Sequence, residues 1–96
     1  MELDRKIAEN HDAILRIAVK YGVRGIRVFG SVARGQADFR SDADFLVEME
    51  EGRSLMDLGG FQYEVEALLG TRVDVVTERG LKARIRERVI QEAVPL

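Results

Sequence analysis

Cysteine is absent from this 96-residue chain, which excludes disulfides and thiolate metal sites alike. A reducing compartment suits such a composition, so a cytoplasmic location is expected. Long apolar runs are missing too: none approaches the roughly 18 residues that cross a bilayer. The opening residues Met1-Glu2-Leu3-Asp4-Arg5-Lys6 are too densely charged to resemble a secretory signal, so no membrane role is expected. Excess charge of one sign is also lacking, since 15 basic residues face 17 acidic ones for a net charge of −2. That argues against a domain gripping nucleic acid by bulk electrostatics, and no direct nucleic-acid binding is expected. Any phosphate must instead be held by a few placed groups. The single histidine, His11, lies among polar residues, where a solvated or partner-facing role fits better than catalysis.

The rest is ordinary for a globular protein, with 46% hydrophobic and 33% charged residues. There is room for one core, so residues 1–96 read as a single domain without linker or repeat. Leu3, Ile7, Ile14, Ile17, Ala18 and Tyr21 recur at helical spacing, predicting one amphipathic helix over 3–20 with Gly22 as its C-cap. A strand at Ile26-Arg27-Val28-Phe29 runs into Gly30-Ser31, and residues 32–41 read as a helical turn and a loop. A second strand spans residues 44–48. Ser54 and Asp57 form a capping-box pattern for a helix whose buried stripe is Leu58, Phe61, Val65, Leu68 and Leu69, closed by Gly70. Tyr63 reads as a packing residue of that helix. A third strand covers residues 73–77, and a last helix carrying Leu81, Ile85 and Val89 is ended by Pro95. The order α-β-β-α-β-α predicts an α+β (α/β-like) domain, a small mixed sheet of about three strands flanked by helices.

Three features point to chemistry. Gly30-Ser31 follows a strand directly: glycine lets the backbone approach an anion, and the serine adds a hydroxyl beside the N–H groups of the next turn. Alone, such a pair is uninformative, because loops are full of them. Asp42-Ala43-Asp44 enters the second strand, where side chains two apart share a face, so both carboxylates can serve one hard cation. Without a cation they repel, and at least one is pushed toward protonation. An isolated Asp-x-Asp would more often be an acidic turn. Asp74 interrupts an apolar strand and can join the other two if the second and third strands are neighbours; a solvated outer face is the alternative. Arg34 is placed to reach a phosphate or an acidic partner, or is a surface turn residue; Arg27 and Arg40 have weaker claims. The mixed-charge cluster from Arg79 to Arg88 reads as a solvated helix face.

Together the odds change. Gly30-Ser31, ten residues, then Asp42-x-Asp44 matches the Gly-Ser-x10-Asp-x-Asp signature of the polymerase-beta-like nucleotidyltransferases. With each fixed residue at about one in twenty, chance occurrence is on the order of one in a thousand. The stretches Phe29 to Gly35, Ser41 to Val47, Leu68 to Thr77 and Arg86 to Leu96 resemble the minimal nucleotidyltransferases (MNT) of that superfamily across nearly the whole chain. The resemblance implies that Gly30 and Ser31 hold a nucleoside triphosphate. It implies that Asp42 and Asp44 bind two Mg²⁺ ions, and that Asp74 ligates the ion nearer the acceptor. All five positions are intact, which suggests a working enzyme. It further implies transfer of AMP from ATP to a hydroxyl, expected to be a tyrosine, of a partner HEPN-domain toxin, with this chain as antitoxin. No part of the chain is left over to form an acceptor-binding domain, so an acceptor that docks is expected; homo- or hetero-oligomers are both open. Two alternatives stand beside this: a non-catalytic module that blocks its partner sterically, and transfer to a small-molecule hydroxyl.

Overall fold

The computed structural model describes residues 2–35 and 42–96. Two helices come first, α1 (Glu2–Glu9) and α2 (His11–Tyr21), where the periodicity predicted one. The break is Asn10, held at φ −104° and ψ 16°. Its side-chain amide donates to the Lys6 carbonyl at 2.8 Å, a local bond by which asparagine competes with regular helix. Gly22 closes α2 as expected, in the left-handed conformation, with its N–H toward the Ala18 and Val19 carbonyls.

Strand β1 (Val23–Phe29) is three residues longer at its start than the β-branched run suggested. It leads without a loop into α3 (Gly30–Ala33), a single turn. The loop predicted to follow, up to residue 41, lies outside the described residues, as does Arg40. Then come β2 (Ala43–Met49) and α4 (Leu55–Leu69). The capping box opens α4 as its spacing implied: the Ser54 hydroxyl accepts from the Met56 N–H at 3.2 Å, and Asp57 accepts from the Ser54 N–H at 3.0 Å. Strand β3 (Val73–Val76) and helix α5 (Ala83–Glu92) follow.

The last element corrects the sequence reading. Pro95 does not simply stop a helix; α5 ends at Glu92, and Val94–Pro95 form a short strand, β4. Proline at a sheet edge costs no ladder bond that the strand needs. The sheet therefore has four strands rather than three, in the order β3-β2-β1-β4. β1 is antiparallel to both β2 and β4, whereas β2 and β3 run parallel. A parallel pair requires a crossover, and α4 supplies it.

Strand alternation sorts the side chains into two layers. Val28, Ala43, Phe45, Val47, Val73 and Val75 meet Leu3, Ile7, Ile14, Ala18, Phe61, Val65 and Leu69 from α1, α2 and α4 in the main core. On the opposite face, Leu46 packs with Val89 of α5 and with Leu81, which precedes that helix rather than lying on it, together with Phe29, Val76 and Ile90. That second cluster fixes α5 across one face of the sheet. Tyr63, expected to pack, is instead 73% exposed on α4. Among the described residues, no helix is long and apolar enough to cross a membrane.

Candidate active site

Strand register brings distant acids together. In the β2–β3 ladder Asp44 lies directly opposite Asp74, and in the β1–β2 ladder it lies opposite Phe29, the residue before Gly30. Asp44 and Asp74 therefore share the face that α5 covers only in part, at the end where β1 turns into α3. Asp42 precedes β2 by one residue and points with Asp44 by alternation. Adjacency of the second and third strands was the condition for Asp74 to face the other two, and β2 and β3 are paired.

Gly30 is required by this geometry. Its φ is +74°, a region that disfavours any side chain, and a Cβ there would collide with the Asp44 carboxylate. The turn thus sits against the acid. Ser31 follows, partly buried, in the first turn of α3.

The electrostatics show what the cluster does. Burial pushes the Asp44 carboxyl from 3.8 up to about 6, and the neighbouring charges of Asp74, Asp42 and Glu92 push the same way, while Arg34 opposes them. A partly buried carboxylate crowded by others is a set of hard oxygen donors lacking countercharge, and this fits a divalent cation. Among the described residues no three such side chains close around one point as a preformed cage. Magnesium does not need one, because it keeps waters and takes phosphate oxygens beside one or two carboxylates.

One residue carried no role in the sequence reading. Glu92, in the last turn of α5, accepts from the Gly30 N–H at 3.0 Å with Oε2 and from Arg34 Nη1 at 2.6 Å with Oε1. The Arg34 hydrogen bond, helped by that of Gly30, holds its carboxyl below the usual range. The available signal was an acid at a helix C-terminus, where the macrodipole disfavours negative charge unless a partner compensates. Arg34 itself caps α3 and turns toward Glu92. Arg27 pairs with Glu78 at 2.8 Å, away from the acids. A depression of about 690 Å³ lies among Arg24, Glu48, Arg53 and Glu78. Its charges largely neutralise one another, as in Arg24–Glu48 and Arg27–Glu78. The three acids stand apart from that basin, none of them lining it.

A mixed sheet that sets a glycine-serine turn against carboxylates on two parallel strands is the scaffold of an enzyme that transfers nucleotides. The chain belongs to the nucleotidyltransferase domain family, whose model matches residues 11–96. Its relatives narrow the class. A protein of Methanocaldococcus jannaschii, provisionally named a protein adenylyltransferase, is 43% identical over 81 residues, covering 84% of this chain and 87% of its own. The protein adenylyltransferase MntA of Thermococcus cleftensis is 47% identical over 75 residues, covering 78% and 76%. A solved structure provisionally described as a minimal nucleotidyltransferase superposes with a TM-score of 0.87 at 48% identity, covering 100% of this chain and 97% of that one. A toxin–antitoxin crystal structure with AMP-PNP shares the fold at a TM-score of 0.74 and 19% identity, covering 90% of this chain and 71% of that one.

Proposed function

We propose that this enzyme transfers AMP from ATP to a hydroxyl, a tyrosine, of a HEPN-type toxin, and thereby acts as its antitoxin in the cytoplasm. The observation that carries the reading is the placement of Asp44 opposite Asp74 beside the Gly30 turn. The names of the Methanocaldococcus and Thermococcus relatives support a protein as acceptor. The toxin–antitoxin structure with AMP-PNP supports the nucleotide and the partner class.

Gly30 and Ser31 bind the triphosphate, the glycine by letting backbone approach and the serine by its hydroxyl. Arg34 adds positive charge next to that turn. Asp42, Asp44 and Asp74 would hold two Mg²⁺ ions, which when bound stabilise the attacking and leaving oxygens of an in-line displacement at the α-phosphate. Asp74 lies on the edge strand and is exposed, which supports its assignment to the ion nearer the acceptor. The bond from the α-phosphorus to the bridging oxygen breaks, the acceptor oxygen takes the AMP, and pyrophosphate leaves with the electron pair. The acceptor's proton passes to solvent or to a nearby base.

Co-expression with a HEPN-type toxin as partner tests the reading through the partner's intact mass. Wild type should add AMP units to it. Asp42→Asn combined with Asp44→Asn should add none and leave the toxin lethal. If the double variant still protects cells and binds its partner equally well, steric blocking accounts for neutralisation and the enzymatic reading fails.

A further inference from the structure

Glu92 stands where electrostatics alone would not put an acid. It lies in the last turn of α5, at the negative end of the helix dipole, and its charge adds to the acidic field on Asp44. Two donors hold it there. Its carboxylate divides between them, with Oε2 on the Gly30 N–H and Oε1 on Arg34. Glu92 is the better shielded of the ion pair, with its side chain 20% exposed against 43% for Arg34. The helix behind it is fixed on both sides: Val89 packs on Leu46 in the sheet, and Val94–Pro95 pair with Arg27 and Val28 of β1. Glu92 thus stands on a braced helix end, and Arg34 is the longer and more exposed member.

We propose that Glu92 is a positioning residue for the triphosphate, orienting Arg34 and pinning the Gly30 turn in the geometry that grips phosphate. The inference rests on the phosphate-binding role proposed above for Gly30 and Ser31. A guanidinium is a planar fork of five N–H donors, so anchoring one of its nitrogens fixes the plane in which the others point. Pinning the Gly30 amide does the same for the backbone: it sets the direction in which the following N–H groups of α3 face. Both constraints are established before ligand arrives, and preorganisation of this kind lowers the ordering cost of binding. The competing possibility is that Glu92 rivals the phosphate for the same donors and must be displaced. The two readings predict opposite signs.

Titration with Mg²⁺-ATP and, separately, with inorganic triphosphate distinguishes them. Glu92→Gln keeps the shape but loses the charge, and can turn its oxygen toward only one of the two donors. It should weaken both ligands roughly tenfold, the scale of one lost charge-assisted hydrogen bond, with the melting temperature of the free protein close to wild type. Arg34→Ala should weaken them similarly, and Glu92→Gln added to Arg34→Ala should cost much less than it does alone, because the two act as a unit. Tighter binding by Glu92→Gln would establish the displaced rival and overturn the proposal. Unchanged affinity, with or without a lower melting temperature, would reduce Glu92 to a brace of the fold and also overturn it. A failure of the underlying reading looks different: Ser31→Ala and Asp44→Asn would then leave Mg²⁺-ATP binding untouched, whatever Glu92 does.

Discussion

Replacing Asp44 by asparagine removes one charge from a crowded cluster while keeping the side chain's shape, and its effect should reverse sign with ligand. In the folded protein this carboxyl is raised from 3.8 to about 6. The folded state therefore holds the proton more tightly than the unfolded chain, and wild type loses stability as pH rises through that window. At roughly 1.4 kcal/mol per unit the full linkage would be about 3 kcal/mol. Asp44 keeps contact with solvent, which lessens both the burial penalty and the repulsion, so about 1–1.5 kcal/mol is the expected residue of that effect. Asparagine does not titrate. At pH 8 in EDTA the variant should melt roughly 4–12 °C above wild type, given about 4–8 °C per kcal/mol for a domain of this size. Near pH 4 the gap should nearly vanish. With Mg²⁺-ATP the order should invert, since wild type gains about 2.7 kcal/mol at a hundredfold excess over Kd and the variant gains little. Thermal scans in EDTA across pH 4–8, repeated with saturating Mg²⁺-ATP, measure all three. A variant no more stable than wild type at pH 8, or a gap that does not depend on pH, would refute the account of Asp44 as a carboxylate raised by burial and by its acidic neighbours.

Gly30→Ala should lose about 2–3 kcal/mol by chemical denaturation, because alanine at positive φ costs roughly 1–2 kcal/mol and its Cβ must also displace the Asp44 carboxylate; a loss below about 0.5 kcal/mol would mean the turn relaxes freely. Asp74→Asn should leave Mg²⁺-ATP affinity nearly intact while slowing transfer, whereas Ser31→Ala should weaken binding by roughly 1–3 kcal/mol. Calorimetric titration beside single-turnover kinetics separates the two, and abolished ATP binding in Asp74→Asn would contradict its assignment to the acceptor side. Ser54→Ala removes the cap of α4 far from the acids and should cost about 1 kcal/mol of stability without changing Kd for ATP.

The parts of the fold that were legible in the sequence are those where one local rule decides. Ser54 with Asp57 marks a helix start through two hydrogen bonds within four residues, and Val73-Asp74-Val75-Val76 alternates in a way only a strand satisfies. Where two local preferences compete, periodicity misled. Asn10 sits inside a helical apolar pattern that continues on both sides, yet its amide captures the Lys6 carbonyl and divides the helix. Val94–Pro95 were hidden for the opposite reason. Two residues carry no pattern, and β4 exists only because β1 offers them an edge. The site divides in the same way. Gly30, Ser31, Asp42 and Asp44 form a linear motif and could be named at once, and Asp74 needed only a guess about neighbouring strands. Glu92 lies 62 residues from the backbone it binds. No spacing rule reaches that far, so only the folded chain could reveal the contact.

Asp44 and Asp74 are separated by a helix and a change of strand, and β3, which bears the second acid, is a four-residue strand at the border of the sheet. Borders of sheets open more readily than centres. Because side chains alternate, a slip of one position along β2 would put Val73 or Val75 where Asp74 stands and leave the acids on opposite faces. The facing of the two acids therefore depends on the register of one short edge strand. Val73 and Val75 bury in the main core beside Phe61, Val65 and Leu69, so the apolar packing under α4 is also what keeps the two acids in register.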